Sequence, residues 1–126
     1  MTEQLRVLGI VEDEKDMRLL LKATLSTDPR IEIVGEAASA EEALELARSW
    51  EPHLIILDYS LEGELTGMEA APLFKEVVPN AKILLFTAYD LRARVQENPH
   101  IDGFLRKDQF PRLMPTVKDM LGINAA

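Results

Sequence analysis

Residues 53–67 read HLIILDYSLEGELTG. Leu54, Ile55, Ile56 and Leu57 follow one another with no polar alternation, the pattern of a strand buried on both faces at the centre of a parallel sheet. The run stops at an acid, Asp58, and an acidic loop bearing Gly63 leads on to Gly67. Taken alone, an Asp at a strand end is most simply a helix cap or a solvated turn residue. In an open α/β sheet, however, ligands bind just beyond the C-terminal ends of the strands.

On either side of this stretch, short apolar runs alternate with longer segments of helical period, the signature of βα units around a parallel sheet. Strands are expected over 7–11, 31–37, 54–57, 83–86 and 103–106. Helices are expected over 16–25, from the capping-box pattern Ser39-Ala40-Glu41-Glu42 to about Ser49, over 67–78, over 91–97 as a shorter helix, and over 111–121. Pro115 is expected to kink the last of these. Trp50, Met68, Met114 and Met120 occupy helical positions suited to packing. His53 and His100 have no second histidine at ligand spacing and read as surface residues.

The chain has 126 residues, of which 47% are hydrophobic, enough for one domain with a substantial core over 1–126. It has no cysteine, which excludes disulfides and thiolate metal sites. The start, MTEQLR, is polar and charged, and no window nears the roughly 18 apolar residues of a membrane helix, so a soluble cytoplasmic protein without membrane contact is expected. A net charge of −8 with scattered Lys and Arg disfavours nucleic acid and favours a cation or a basic partner.

The residues just past the strands carry the chemistry. Glu12 and Asp13 follow the first strand, Asp58 the third, Thr87 the fourth and Lys107 the fifth. Each has a plain reading: an acidic first helical turn, a cap, a strand hydroxyl, a surface charge. A parallel sheet gathers all five on one edge, and five chemically matched groups rarely arise from capping alone. Two carboxylates about 5 Å apart repel by roughly 3 kcal/mol at an effective dielectric near 20, so the cluster calls for a cation. Hard oxygen ligands suit Mg²⁺, which keeps few protein ligands and takes phosphate oxygens.

The pieces VEDE at 11–14, LIILD at 54–58 with Gly67 downstream, FTA at 86–88 and DGFLRKD at 102–108 resemble, in combination and over nearly the whole chain, the receiver domain of two-component response regulators. The resemblance implies a (βα)5 flavodoxin-like fold with strand order 2-1-3-4-5, which sets the first strand beside the third. It implies that Asp58 accepts a phosphoryl group from a sensor histidine kinase or histidine phosphotransfer protein. Glu12, Asp13, Asp58 and the Ser60 main-chain carbonyl would hold Mg²⁺; Lys107 and Thr87 would meet the phosphoryl. Thr87 and Phe104 would form the switch, read out on the fourth helix, fifth strand and fifth helix, a face on which receivers also dimerise. Phe104 has no hydroxyl, so packing governs it; its alternative reading is plain core. Tyr89, two after Thr87, would shield the phosphoryl from water or cap the fourth helix. The resemblance also allows a longer regulator of which this is the N-terminal domain.

The chain departs from the common pattern in four places. Glu62 stands where proline is common and the loop to Gly67 is longer. Asp108 replaces a frequent proline, the span from Thr87 to Phe104 is short, and Glu12 replaces Asp. Two other functions are compatible with parts of the pattern. A receiver-like interaction domain that is not phosphorylated fits the altered loop and short fourth helix. A phosphoaspartate hydrolase of the haloacid dehalogenase type places Asp at a strand end, but has a second Asp where this chain has Ser60. A nucleotide-binding flavodoxin-like protein would need a glycine-rich loop in place of Glu12-Asp13-Glu14.

Overall fold

A computed structural model describes residues 5–123. Five strands, β1 (Arg6–Val11), β2 (Ile31–Ala37), β3 (Leu54–Leu57), β4 (Lys82–Thr87) and β5 (Gly103–Arg106), alternate with helices α1 (Lys15–Leu25), α2 (Ala40–Trp50), α3 (Gly67–Val77), α4 (Arg92–Gln96) and α5 (Leu113–Leu121). Every strand pairing is parallel and the order is β2-β1-β3-β4-β5, as the resemblance implied.

The unbroken run at 54–57 is explained by the two cores it serves. Ile55 and Leu57 pack with Ile83 and Leu85 against Ala43 and Ala47 of α2 and Ala70 and Phe74 of α3. Leu54 and Ile56 pack with Leu84 and Phe86 against Leu21 and Leu25 of α1 and Val117 of α5. The two helical layers thus cover opposite faces, and β3 has no face left for a polar residue. Trp50 closes the end of α2 over β1 and β2 in a space that two register partners leave open. A Cβ at Gly9 would stand 2.5 Å from its ring and one at Gly35 2.1 Å from its Nε1. Met68 packs against the first core and Met114 and Met120 against the second.

Three local readings are corrected. Ser39 Oγ accepts from the Glu42 amide at 3.1 Å, whereas the reciprocal capping box forms at Thr66 and Glu69, where both halves are made (3.0 and 3.2 Å). Residues 107–112 form a 3-10 turn and α5 begins only at Leu113, because Gln109 leaves helical geometry (φ −102°, ψ 27°) and its Oε1 accepts from the Arg106 amide. Pro115 is then the third residue of α5, where an amide has no partner within the helix, so it costs no helical hydrogen bond and produces no kink there. α4 has five residues, none of them buried.

Candidate functional site

Glu12 and Asp58 are delivered side by side by the pairing of β1 with β3. Val11 is the register partner of Leu57, and the Asp58 amide donates to the Val11 carbonyl at 3.0 Å. Across the strand the Glu12 amide donates to the Ala37 carbonyl at 2.9 Å. Behind Asp58, α3 begins at a glycine for want of space, since a Cβ on Gly67 would lie 2.2 Å from the Asp58 carbonyl oxygen.

Asp58 and Glu12 are both buried. Asp58 Oδ1 accepts from the Tyr59 amide at 2.7 Å, and Oδ2 from Lys107 Nζ at 2.8 Å. Lys107 also reaches Glu12 Oε1 at 2.7 Å, so one ammonium bridges two carboxylates. Glu12 is held further by the Glu14 amide on its Oε2 (3.0 Å) and by Arg18 Nη1 on its carbonyl (2.7 Å). Burial pushes the Glu12 carboxyl up to about 7; hydrogen bonds from Lys107 and the Glu14 amide pull the other way, and the Asp58 charge adds to the rise. Burial would lower Lys107, but its hydrogen bonds to Asp58 and Glu12 outweigh that and raise it, keeping it charged.

Asp13 completes the acidic group. Carboxylate oxygens of Glu12, Asp13 and Asp58 can lie within 4.8 Å of one another. Three acids face one fixed ammonium, and their oxygens suit a hard divalent cation. At the end of β4, Thr87 is fully buried and its Oγ1 has no hydrogen-bond partner among the described residues. Such an orphaned hydroxyl is costly, and an oxyanion brought to the site would satisfy it.

The loop after Asp58 is where the chain leaves the common pattern, and it is fastened to α2. The Glu62 amide donates to the Ala38 carbonyl at 3.3 Å. Glu41, the second residue of α2, accepts on Oε2 from the Glu64 amide at 2.8 Å and the Leu65 amide at 3.2 Å. Those backbone donors, with its own amide, hold the Glu41 carboxyl below the usual range. Gly63 turns the chain around this carboxylate at φ 82°, a conformation that favours glycine. Ser60 is exposed within the same loop.

Next along the chain from Asp58, the Tyr59 ring meets that of Tyr89 edge to face at 5.8 Å, and the Arg94 guanidinium of α4 stands 5.5 Å from the Tyr59 centroid. Tyr89 is exposed, and Leu91 rather than Tyr89 occupies the cap position of α4. Phe104 is half-buried against the core beneath α2 and α3. His53 is not a plain surface residue: it is half-buried, and its Nδ1 accepts from the Val7 amide at 2.9 Å, because that amide lies below the first ladder bond between β1 and β3.

A family model described as the response regulator receiver domain matches residues 8–118. The chain belongs to this family. It is a receiver domain of two-component systems, and an acidic pocket that takes Mg²⁺ is typical of its kind. The response regulator protein VraR of Staphylococcus aureus is 37% identical over 79 residues, 63% of this chain and 37% of that one. The receiver thus spans little more than a third of the length of such relatives. Among solved structures, Thermotoga maritima TrrA in complex with Mg²⁺ and BeF is 32% identical, with a TM-score of 0.80 over 92% of this chain and 99% of that one. The receiver domain of the regulator NarL from Mycobacterium tuberculosis is 26% identical, with a TM-score of 0.84 over 95% and 98%. No helix among the described residues is long and apolar enough to cross a membrane.

The five strand-end groups are all present at this receiver's sheet edge. What the sequence reading missed acts over distance: Glu41 on the loop, the Tyr59 ring with Arg94, and Asp102, whose Oδ2 accepts from the Ile83 amide and from Lys75 Nζ, both at 2.8 Å. Nothing in the local pattern of Glu41 marks it, since its partners lie 23 and 24 residues away.

Proposed function

We propose that Asp58 is the phosphoacceptor of this receiver and that its donor is the phosphohistidine of a sensor histidine kinase or histidine phosphotransfer protein. The observation that carries the reading is Asp58 itself: a buried carboxylate held between the Tyr59 amide and Lys107 Nζ, beside Glu12. In the transfer, an Asp58 carboxylate oxygen forms a bond to phosphorus as the bond from phosphorus to the histidine nitrogen breaks. The imidazole leaves with that electron pair. Glu12, Asp13, Asp58 and the Ser60 main-chain carbonyl are the residues that would hold Mg²⁺, which when bound neutralises charge on the phosphoryl oxygens. The Mg²⁺-BeF complex of the similar TrrA supports a Mg²⁺ site in a protein of this fold, and the acidic group of Glu12, Asp13 and Asp58 supports its place here.

Lys107 then trades its contact with the free carboxylate for one with the phosphoryl group, and the orphaned Thr87 hydroxyl gains a partner. Both contacts exist only in the phosphorylated state, so they bias the domain between two packings. Movement of Thr87 opens room for Phe104, whose half-buried ring follows by packing. The output is the surface of α4, β5 and α5, available to a partner or a second copy, while nucleic acid is left to other parts of a regulator. In this reading 1–126 is a single receiver domain working in the cytoplasm, and its only catalysis is on its own phosphoryl group.

The test is to incubate the protein with Mg²⁺ and a small acyl phosphate and weigh it intact. One added phosphoryl that disappears in Asp58→Asn is the expected result. No adduct from any phosphodonor would point to an interaction domain, and turnover of a phosphate ester to a hydrolase.

A further inference from the structure

We infer that Glu41 is a positioning residue for the cation site, fixing the path of the loop after Asp58 and through it the direction of the Ser60 carbonyl. The inference rests on reading Glu12, Asp13, Asp58 and Ser60 as the Mg²⁺ ligands.

A side-chain ligand can re-aim itself by changing rotamer. A main-chain carbonyl cannot: its direction is set by the φ and ψ of the chain that carries it. The loop from Tyr59 to Thr66 lies outside both β3 and α3, so its course depends on what fastens it. At its root the Tyr59 amide donates to Asp58 Oδ1 and the Tyr59 carbonyl accepts from the Gly67 amide at 2.9 Å. Those two bonds fix the ends. The middle is held by the turn into α2 and by its first residues, through the Glu62 amide on the Ala38 carbonyl, the bridge between Ser39 and Glu62, and the Glu64 and Leu65 amides on Glu41 Oε2.

The loop is built around this one carboxylate. Gly63 sits so close that a Cβ there would stand 2.7 Å from Glu41 Oε1, and its φ of 82° lets Glu64 and Leu65 turn their amides to the same oxygen. Two donors on one charged acceptor make a stronger fastening than either would to water. Removing the acceptor frees two amides and the turn between them. Ser60 lies on the segment between this fastening and Asp58, so its carbonyl is then held from that side only by the long Glu62–Ala38 contact at 3.3 Å and its aim loosens.

Two measurements test this. The first follows hydrogen exchange of the Glu64 and Leu65 amides in metal-free protein; the second follows Mg²⁺ affinity by amide shifts on titration. In Glu41→Ala both amides should exchange faster and Mg²⁺ should bind about tenfold more weakly, the lower end for loss of an outer-sphere support. Phosphoryl uptake at saturating Mg²⁺ should stay near wild type. Glu41→Gln keeps an acceptor oxygen while removing the charge, and it should lose clearly less affinity than Glu41→Ala. Gly63→Ala, which disturbs the same contact from the loop side, should weaken Mg²⁺ as Glu41→Ala does.

If Glu41→Ala and Glu41→Gln lose affinity equally, the effect is remote charge and the inference is wrong. It is also wrong if Glu41→Ala loosens the amides yet leaves Mg²⁺ affinity unchanged. A wild-type chain that binds Mg²⁺ no better than Asp58→Asn would remove the underlying reading, and this inference with it.

Discussion

Thr87 carries a cost in the unphosphorylated state that the proposed phosphorylated state would lift. Its hydroxyl is buried on β4 with no hydrogen-bond partner among the described residues, while Glu12 and Asp58 share Lys107. Replacing the hydroxyl by a methyl group keeps the shape and removes an unsatisfied polar atom. Thr87→Val should therefore raise the stability of the unphosphorylated protein by about 1 kcal/mol, read from urea unfolding at constant m-value. The same variant should lose the structural response to phosphorylation in amide spectra. A variant less stable than wild type would mean that the hydroxyl has a partner in solution and is not held in reserve. The gathering of Asp58, Glu12, Asp13, Thr87 and Lys107 at one edge was legible from sequence because each ends or follows a strand and the sheet brings strand ends together. Glu41 and Arg94 were not, because their roles depend on where a loop and a short helix come to rest.

At the scale of elements, legibility followed the strength of the pattern. The four aliphatic residues of β3 have two cores to fill, and neither their boundaries nor their place in the sheet left room for another reading. The start of α5 was misjudged because Pro111 reads as a good first helical residue, whereas Gln109 turns its side chain back to the Arg106 amide and inserts a 3-10 turn first. α4 has five residues and no fully buried side chain, and the Arg94 guanidinium near the Tyr59 ring links it to the loop after Asp58. Tyr89 completes that cluster, with its ring edge to face on Tyr59 and most of its own surface in water. Tyr89→Ala should uncover the acyl phosphate and speed its hydrolysis in the Mg²⁺ complex, measured as the half-life of the phosphorylated mass. An unchanged half-life would leave Tyr89 as a packing partner of Tyr59 and nothing more.

Across the whole molecule, the corner between α1 and β2 is tied to the opposite end of the chain by Asp28. Its carboxylate is buried and accepts from the Arg30 amide and Nε at 2.9 Å and from Arg30 Nη2 at 2.7 Å, with Lys118 of α5 at 3.4 Å. The side-chain and backbone donors of Arg30 hold its carboxyl far below the usual range. A depressed folded value means that this stabilisation is fully present above the unfolded carboxyl value near pH 4 and fades as pH falls below it. Asp28→Asn should cost about 2 kcal/mol at pH 7, and the gap to wild type should narrow as unfolding is measured at successively lower pH from about 4 to about 2. A gap independent of pH would show that packing, not charge, sets the cost. The proposed function of the receiver depends on which residue is phosphorylated. The most direct measurement is to phosphorylate the chain from a phosphohistidine donor with Mg²⁺, reduce the product with borohydride, and map the peptides. Conversion of residue 58 alone from aspartate to homoserine is the result predicted here; label at Glu12, Asp13 or no residue at all would contradict it.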